Sequence, residues 1–483
     1  MERTAFEIEE ATISDIQQAF QNKHLTSVEL VQAYLDRIEK YDKNGPEINS
    51  VLSINPDVLK IATVLDEKRG EDGQGPLYGI PVLLKDNIDT VDNMPTTAGT
   101  VALKDNFAED DAFVAEQLRQ AGAIILGKVN MSEWAYFMTQ NVPSGYSGLG
   151  GQVLNPYGVG TFEAGSVGGS SSGTGASIAS NFAVVGIGTE TSGSILSPAS
   201  ANSIVGIKPT VGLISRTGII PIAESQDTAG PMARTVADAA ITLGALTGVD
   251  ERDPKTLSNA EKALVDYTPH LKVDGLKGAR IGVDRSFLSE ADKEERTIME
   301  EAIKELEAFG AIVEEVIIPR AEFDSEVLWY EFKRGVNDYL RKVSDTVPVK
   351  SLVDVIEFNK MDPAVRMKFG QSELEKALVL SDDPLDPTYL EHRETDLRIS
   401  AAEGIDVVMA RYSLDALLFE NNRGAAMPAK AGYPSITVPA GYTSTGEPVG
   451  VTFSALAYSE ARLIELAYSY EQATKKRIAP KFE

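Results

Sequence analysis

Residues 168–194 read GGSSSGTGASIASNFAVVGIGTETSGS, and no other stretch constrains the chain as strongly. Two small polar segments, 168–175 and 190–194, flank the apolar run 182–187. Glycine lets a backbone turn sharply and approach a neighbour or a ligand closely. The pattern predicts a turn, a buried strand over 182–187 and a second turn, with Ser170 and Ser194 at the two ends. Serine-rich turns are most often only turns. Any chemistry for these serines depends on the rest of the chain.

Upstream, Ser14-Asp15-Ile16-Gln17 and Thr26-Ser27-Val28-Glu29 both match the capping box that opens helices. In GIPVLLKDNIDT, residues 79–90, a short apolar strand over 80–84 delivers Lys85 to its end. Strand ends are where catalytic groups collect, although a lysine leaving a strand for solvent reads the same way. Residues 111–121 read as a helix, Gly122 as its stop and AIILGK as a strand. Residues 298–309, Gly310 and AIVEEVII repeat that device, and ARIGV at 279–283 completes a βαβ unit with parallel strands. Residues 320–400 are charged, helix-prone and studded with aromatics, as in Leu328-Trp329-Tyr330-Glu331-Phe332. They predict a helical insertion, either a packed cap or a wall of a pocket. LDALLFE, PSITVPAG and VGVTF return to strands, and 460–475 closes as a helix. The expected fold is α/β: one domain over 1–483 with a mixed central β-sheet and helices on both faces.

The inventory removes whole classes of chemistry. With no cysteine there is no thiolate nucleophile, disulfide or thiolate metal site. The three histidines, His24, His270 and His392, are scattered and form no metal-binding pattern. A formal charge of −27 argues against a nucleic-acid partner. The N-terminal MERTAFEIEEATISD lacks the apolar core of a secretory signal, and no apolar run approaches the ~18 residues of a membrane helix. These features predict a cytoplasmic protein that needs no cofactor and no metal.

Three serine schemes fit the glycine-rich stretch unequally. GSSSG, residues 169–173, satisfies the G-x-S-x-G elbow centred on Ser171, but that scheme needs a late histidine, and only His392, in a charged run, is available. A phosphate loop would need GK[ST] after its glycines, and none follows. A serine can instead be activated by a neutral lysine, because burial disfavours the charged ammonium. A second serine can pass the proton between them. Lys85, Lys128 and Lys208 are the lysines of this region.

The motifs GIPVLLKDN, GGSSSGTGAS, GIGTETSGSI, VGIKPTVGLISR, SQDTAGPMARTVADAA and GYPSITVPAG resemble the amidase signature family. They are densest over about 79–245, and GKVNMSEWA and PVGVTF also fit. GTETSGSI, ISRTGIIPI and SQDTAGPMARTVADA are most similar to the peptide amidases of that family. The resemblance implies hydrolysis of linear carboxamides to carboxylate and ammonia or amine, with peptide amides first and aryl or aliphatic amides, carbamates or esters next. It also admits an amidotransferase A-type subunit that works with partner subunits. By motif position it puts the nucleophile on Ser194, the bridging serine on Ser170 and the base on Lys85. The oxyanion would be held by backbone N–H groups of Thr191, Ser192, Gly193 and Ser194, and Ser171 and Asp227 would give support. Three positions depart from the family pattern: Ser192 replaces a glycine, Leu196 replaces an arginine, and FENNRGAAMP replaces a Pro-Thr-containing loop.

Overall fold

The computed structural model describes residues 6–259, 261–289 and 292–482, so Met1–Ala5 of the acidic N-terminal stretch lie outside it. Its strands are β1 (Val51–Ile54), β2 (Pro81–Lys85), β3 (Ile124–Val129), β4 (Tyr146–Ser147), β5 (Gly151–Gln152), β6 (Val185–Glu190), β7 (Val205–Lys208), β8 (Thr228–Ala233), β9 (Arg280–Val283), β10 (Ile312–Glu315), β11 (Ala416–Glu420), β12 (Ser435–Tyr442) and β13 (Pro448–Ser454). All but the β4–β5 hairpin join one 11-stranded sheet in the order β1-β3-β2-β6-β8-β7-β12-β13-β11-β9-β10. The sheet is mixed. β2 runs parallel to both β3 and β6, and β9 runs parallel to both β10 and β11. The other pairs, including β6–β8 and β12–β13, are antiparallel. The chain is therefore one α/β domain, and helices cover both faces of its sheet.

Both expected helix–glycine–strand devices form. The helices Phe113–Gln120 and Lys293–Ala308 end at Gly122 and Gly310, which take φ of +83° and +96°, before β3 and β10. Left-handed φ is the conformation glycine tolerates best, and it turns each helix back toward the sheet. The capping box at Thr26–Glu29 also forms. The first box is Thr12 with Asp15, not the Ser14 unit, so that helix begins two residues earlier, at Ile13. Thr12 lies outside the helix with an extended backbone, which a cap requires and Ser14, already helical, lacks.

The central stretch folds differently from its composition. The strand is β6, at Val185–Glu190, shifted toward the C-terminus from 182–187. Pairing with β2 on one side and β8 on the other carries the ladder through Gly186 and Gly188 to Glu190. The segment 168–175 is only partly a turn, because Ser172–Ala179 forms a wholly buried helix. Its poor helix formers are outweighed by packing. A Cβ on Gly173 would lie 2.3 Å from the Asn130 carbonyl oxygen. Gly173→Ala should therefore destabilise the fold by about 1–3 kcal/mol through overpacking. Thermal unfolding followed by circular dichroism checks this, and an unchanged midpoint would contradict it.

Residues 327–412 hold a series of helices joined by short loops, from Val327–Leu340 to Asp406–Tyr412. They enclose a second apolar core in which Phe332, Val336 and Leu340 pack with Trp134, Phe137 and Ile222. The helical segment is thereby docked against the loops that follow β3 and β7.

Candidate active site

β2 and β6 are adjacent and parallel, with Leu84 opposite Ile187, so their C-terminal ends open on one edge of the sheet. In open α/β sheets ligands bind beyond the carboxyl ends of strands. Lys85 is the last residue of β2 and is fully buried. Its Nζ lies 2.8 Å from Ser170 Oγ, 2.8 Å from Thr189 Oγ1 and 3.1 Å from the Thr189 carbonyl oxygen. Burial pulls its pKa down to about 7, against the opposing pull of the Asp227 and Glu190 carboxylates.

Ser170 enters from the loop before the buried helix, through a cis peptide bond with Gly169. Its carbonyl accepts the Ser132 N–H at 3.1 Å. Ser171 ties the loop to both neighbours. Its N–H donates to the Ser194 carbonyl at 3.1 Å, and its hydroxyl donates to the Thr189 carbonyl at 3.1 Å. Ser194 is 6% exposed and lines, with Ser170, Asn87, Thr191, Asp227 and Arg216, a cavity of about 270 Å³. Lys85, Ser170, Ser171 and Ser194 thus lie around one site, although Lys85 is far from the three serines in sequence.

The turn that carries Ser194 hangs on Glu190, a residue the motif reading did not single out. The buried Glu190 carboxylate accepts the N–H groups of Gly193 at 2.7 Å, Ile195 at 2.7 Å and Leu196 at 3.0 Å. An acidic residue at the end of a buried strand, four residues before the serine, is the signal that marks it. Gly193 takes φ +81°, and a Cβ there would meet Asn422 Nδ2 at 2.9 Å. Ser192 is not among the residues with positive φ, so a serine fits the backbone there without strain. Among the described residues, the backbone N–H groups of Thr191, Ser192 and Ser194 donate to no protein acceptor, whereas that of Gly193 is taken by Glu190. Leu196 is buried, and its backbone, not a charged side chain, meets Glu190.

Asp227 sits just before β8, opposite the end of β6. It accepts the Thr191 hydroxyl and the N–H groups of Ile222 and Ala223 at 2.8 and 2.9 Å. Burial pushes its pKa up to about 6 despite these donors. It braces the turn at Thr191 and adds negative potential near Lys85.

The rival groups are engaged elsewhere. Lys128 Nζ donates to the Ile88 carbonyl and to Thr96 Oγ1, near Asp86 and Asp89. Lys208 Nζ donates to the Tyr433 carbonyl. His392 accepts the Glu326 N–H at 3.1 Å and packs on Phe323, within the helical segment. Among the described residues the Ser171 hydroxyl bonds only to the Thr189 backbone, and His392 is not its partner. Among the described residues no cluster of three or more potential metal ligands occurs, and no helix is long and apolar enough to cross a membrane.

Known proteins resemble this chain along nearly its whole length. A protein of Arabidopsis thaliana described as a probable amidase is 40% identical over 487 residues, which cover 99% of this chain and 93% of its own length. The crystal structure of an amidase family protein from Bacillus anthracis superposes with a TM-score of 0.93 at 43% identity, over 98% of this chain and 93% of that one. The native peptide amidase of Stenotrophomonas maltophilia superposes with a TM-score of 0.90 at 42% identity, over 98% and 99% of the two chains. The family model named Amidase matches residues 29–464, and the chain accordingly belongs to the amidase family of amide-hydrolysing enzymes.

Proposed function

We propose that this amidase cleaves linear carboxamides through an acyl-serine intermediate, with peptide amides as its preferred substrates. The observation that carries the reading is the buried contact of Lys85 Nζ with Ser170 Oγ at the wall of the cavity that also holds Ser194. A neutral amine has two N–H donors and one lone pair. The two oxygens of Thr189 can take both donors, which turns the lone pair toward the Ser170 hydroxyl. Ser170 then gives its proton to Lys85 as it takes one from Ser194. Ser194 Oγ forms a bond to the carbonyl carbon, and negative charge builds on the carbonyl oxygen. The unengaged N–H groups of the turn 191–194 are the donors at hand for that charge. Collapse breaks the carbon–nitrogen bond, and the proton returns through Ser170 to the departing ammonia or amine. Water then attacks the ester, with the same relay as base, and restores Ser194.

The peptide preference is supported by the kinship with peptide amidase at 42% identity across nearly the whole chain. The experiment is an ammonia-release assay of the purified chain, with no partner added, on C-terminally amidated peptides, aryl amides, fatty amides and carbamates. Turnover highest on peptide amides is the expected result. No turnover of any of them would overturn the reading and favour a subunit that needs partners.

A further inference from the structure

A second cavity, of about 650 Å³, abuts the first, and the reaction as described makes no use of it. The two share Arg216, Thr217, Ile219, Pro221 and Arg252 along a common wall. The far wall belongs to the helical segment, through Gly335, Asp338, Tyr339 and Lys342. The near wall is the loop 106–111.

This cavity has built polar walls. The Tyr339 hydroxyl donates to Asp89 Oδ1 at 2.8 Å and accepts from Asn106 Nδ2 at 2.8 Å. Asn106 is 2% exposed, and its Nδ2 also donates to the Thr96 carbonyl at 2.9 Å. Its Oδ1 meets no donor of the described protein. The charges are unequal. Arg216 is gripped by Asp253, Arg252 by Asp250 and Glu116, Asp111 by Arg119 and Asp338 by Arg341. Asp89 shares Lys128 with Asp86. Glu109 and Asp110 have no ion-pair partner among the described residues, and Lys342 is the lining cation that has none. The wall is net negative.

We propose that this cavity receives the residues upstream of the scissile bond in a peptide amide and favours a cationic side chain there. The proposal rests on the peptide-amide reading above. In that reaction the leaving group is ammonia, which needs little room, so the extra volume serves the acyl side. A cavity of this size matches a few peptide residues.

The test compares kcat/KM on an acetylated amino-acid amide with that on tetrapeptide amides carrying Lys, Ala or Glu at each of the three upstream positions in turn. Longer substrates should win, and at one upstream position Lys should exceed Glu by about tenfold at low ionic strength, less at high. The double variant Glu109→Gln, Asp110→Asn should reduce that preference about fivefold while leaving the acetylated amino-acid amide unchanged. Lys342→Gln should increase it. A wild type that turns over the short amide but ignores length and charge overturns this inference and leaves the function intact. A wild type inactive on every amide overturns the function and this inference with it. Titration of Ser194→Ala with fluorescently labelled Lys- and Glu-containing peptide amides gives a readout without turnover, and equal affinities would count against the proposal.

Discussion

Lys85→Ala should cut amide turnover at pH 7 by about 10³-fold, the usual reach of a positioned general base. The loss should shrink as pH rises, because hydroxide can then take the proton in part. In the wild type, activity should rise with pH through about 7, where the buried Lys85 loses its proton. The sign follows from the mechanism: below that pH the ammonium has no lone pair for Ser170, and above it the amine does. The largest cause of the low pKa is burial, so a lysine exposed by mutation of its surroundings would move the rise toward the ordinary value of ~10.4. A pH–rate profile of both proteins on one peptide amide, beside circular dichroism, measures this. A folded Lys85→Ala with near-wild-type rates at pH 7 would remove Lys85 as the base and return attention to Lys128 and Lys208.

Ser194→Ala should be inactive at every pH, with a loss of about 10⁴-fold or more, because no acyl-enzyme can form. The fold should survive, since the change removes a single hydroxyl at the edge of a cavity. Incubation with an activated ester followed by mass spectrometry separates the roles. Wild type should gain the acyl mass on the peptide containing Ser194, and Ser194→Ala should gain none. Ser170→Ala keeps the attacking hydroxyl and the base but breaks the link between them, so it should acylate slowly and turn over poorly. Acylation of Ser194→Ala at the wild-type rate would transfer the nucleophile to another residue.

The sequence made some of this legible and hid the rest for physical reasons. The helix–glycine–strand devices were readable because a helix, a left-handed glycine and a buried strand each leave a local mark, as at Phe113–Gln120, Gly122 and β3. Lys85 at the end of β2 was readable for the same reason. The helix Ser172–Ala179 was not, since serine and glycine favour turns and the helix depends on close packing, as of Gly173 against Asn130 and Gly175 against Pro198. Glu190 was missed because its hold on the turn runs through three backbone N–H groups, which no side-chain pattern displays. It also withdraws the Gly193 N–H from the set of four that the motif position offered for an oxyanion. Which lysine meets Ser170 could not follow from spacing alone. Lys85, Lys128 and Lys208 are all buried at the ends or interiors of strands, and only the parallel register of β2 with β6 sets Lys85 beside Thr189.

That register has a consequence for the newly made protein. Lys85 and Thr189 are 104 residues apart in the chain, and they meet only when β2 and β6 have paired and been covered. Before then the lysine is wet and carries its proton at neutral pH, and Ser194 is an ordinary alcohol. On the proposed mechanism, hydrolytic power is thus created by the closing of the sheet and is absent from nascent or partly unfolded chains. Such chains are the ones that crowd against other unfinished polypeptides. On the proposed mechanism the enzyme is inert toward them until it has become a compact body with Ser194 set in the wall of a cavity.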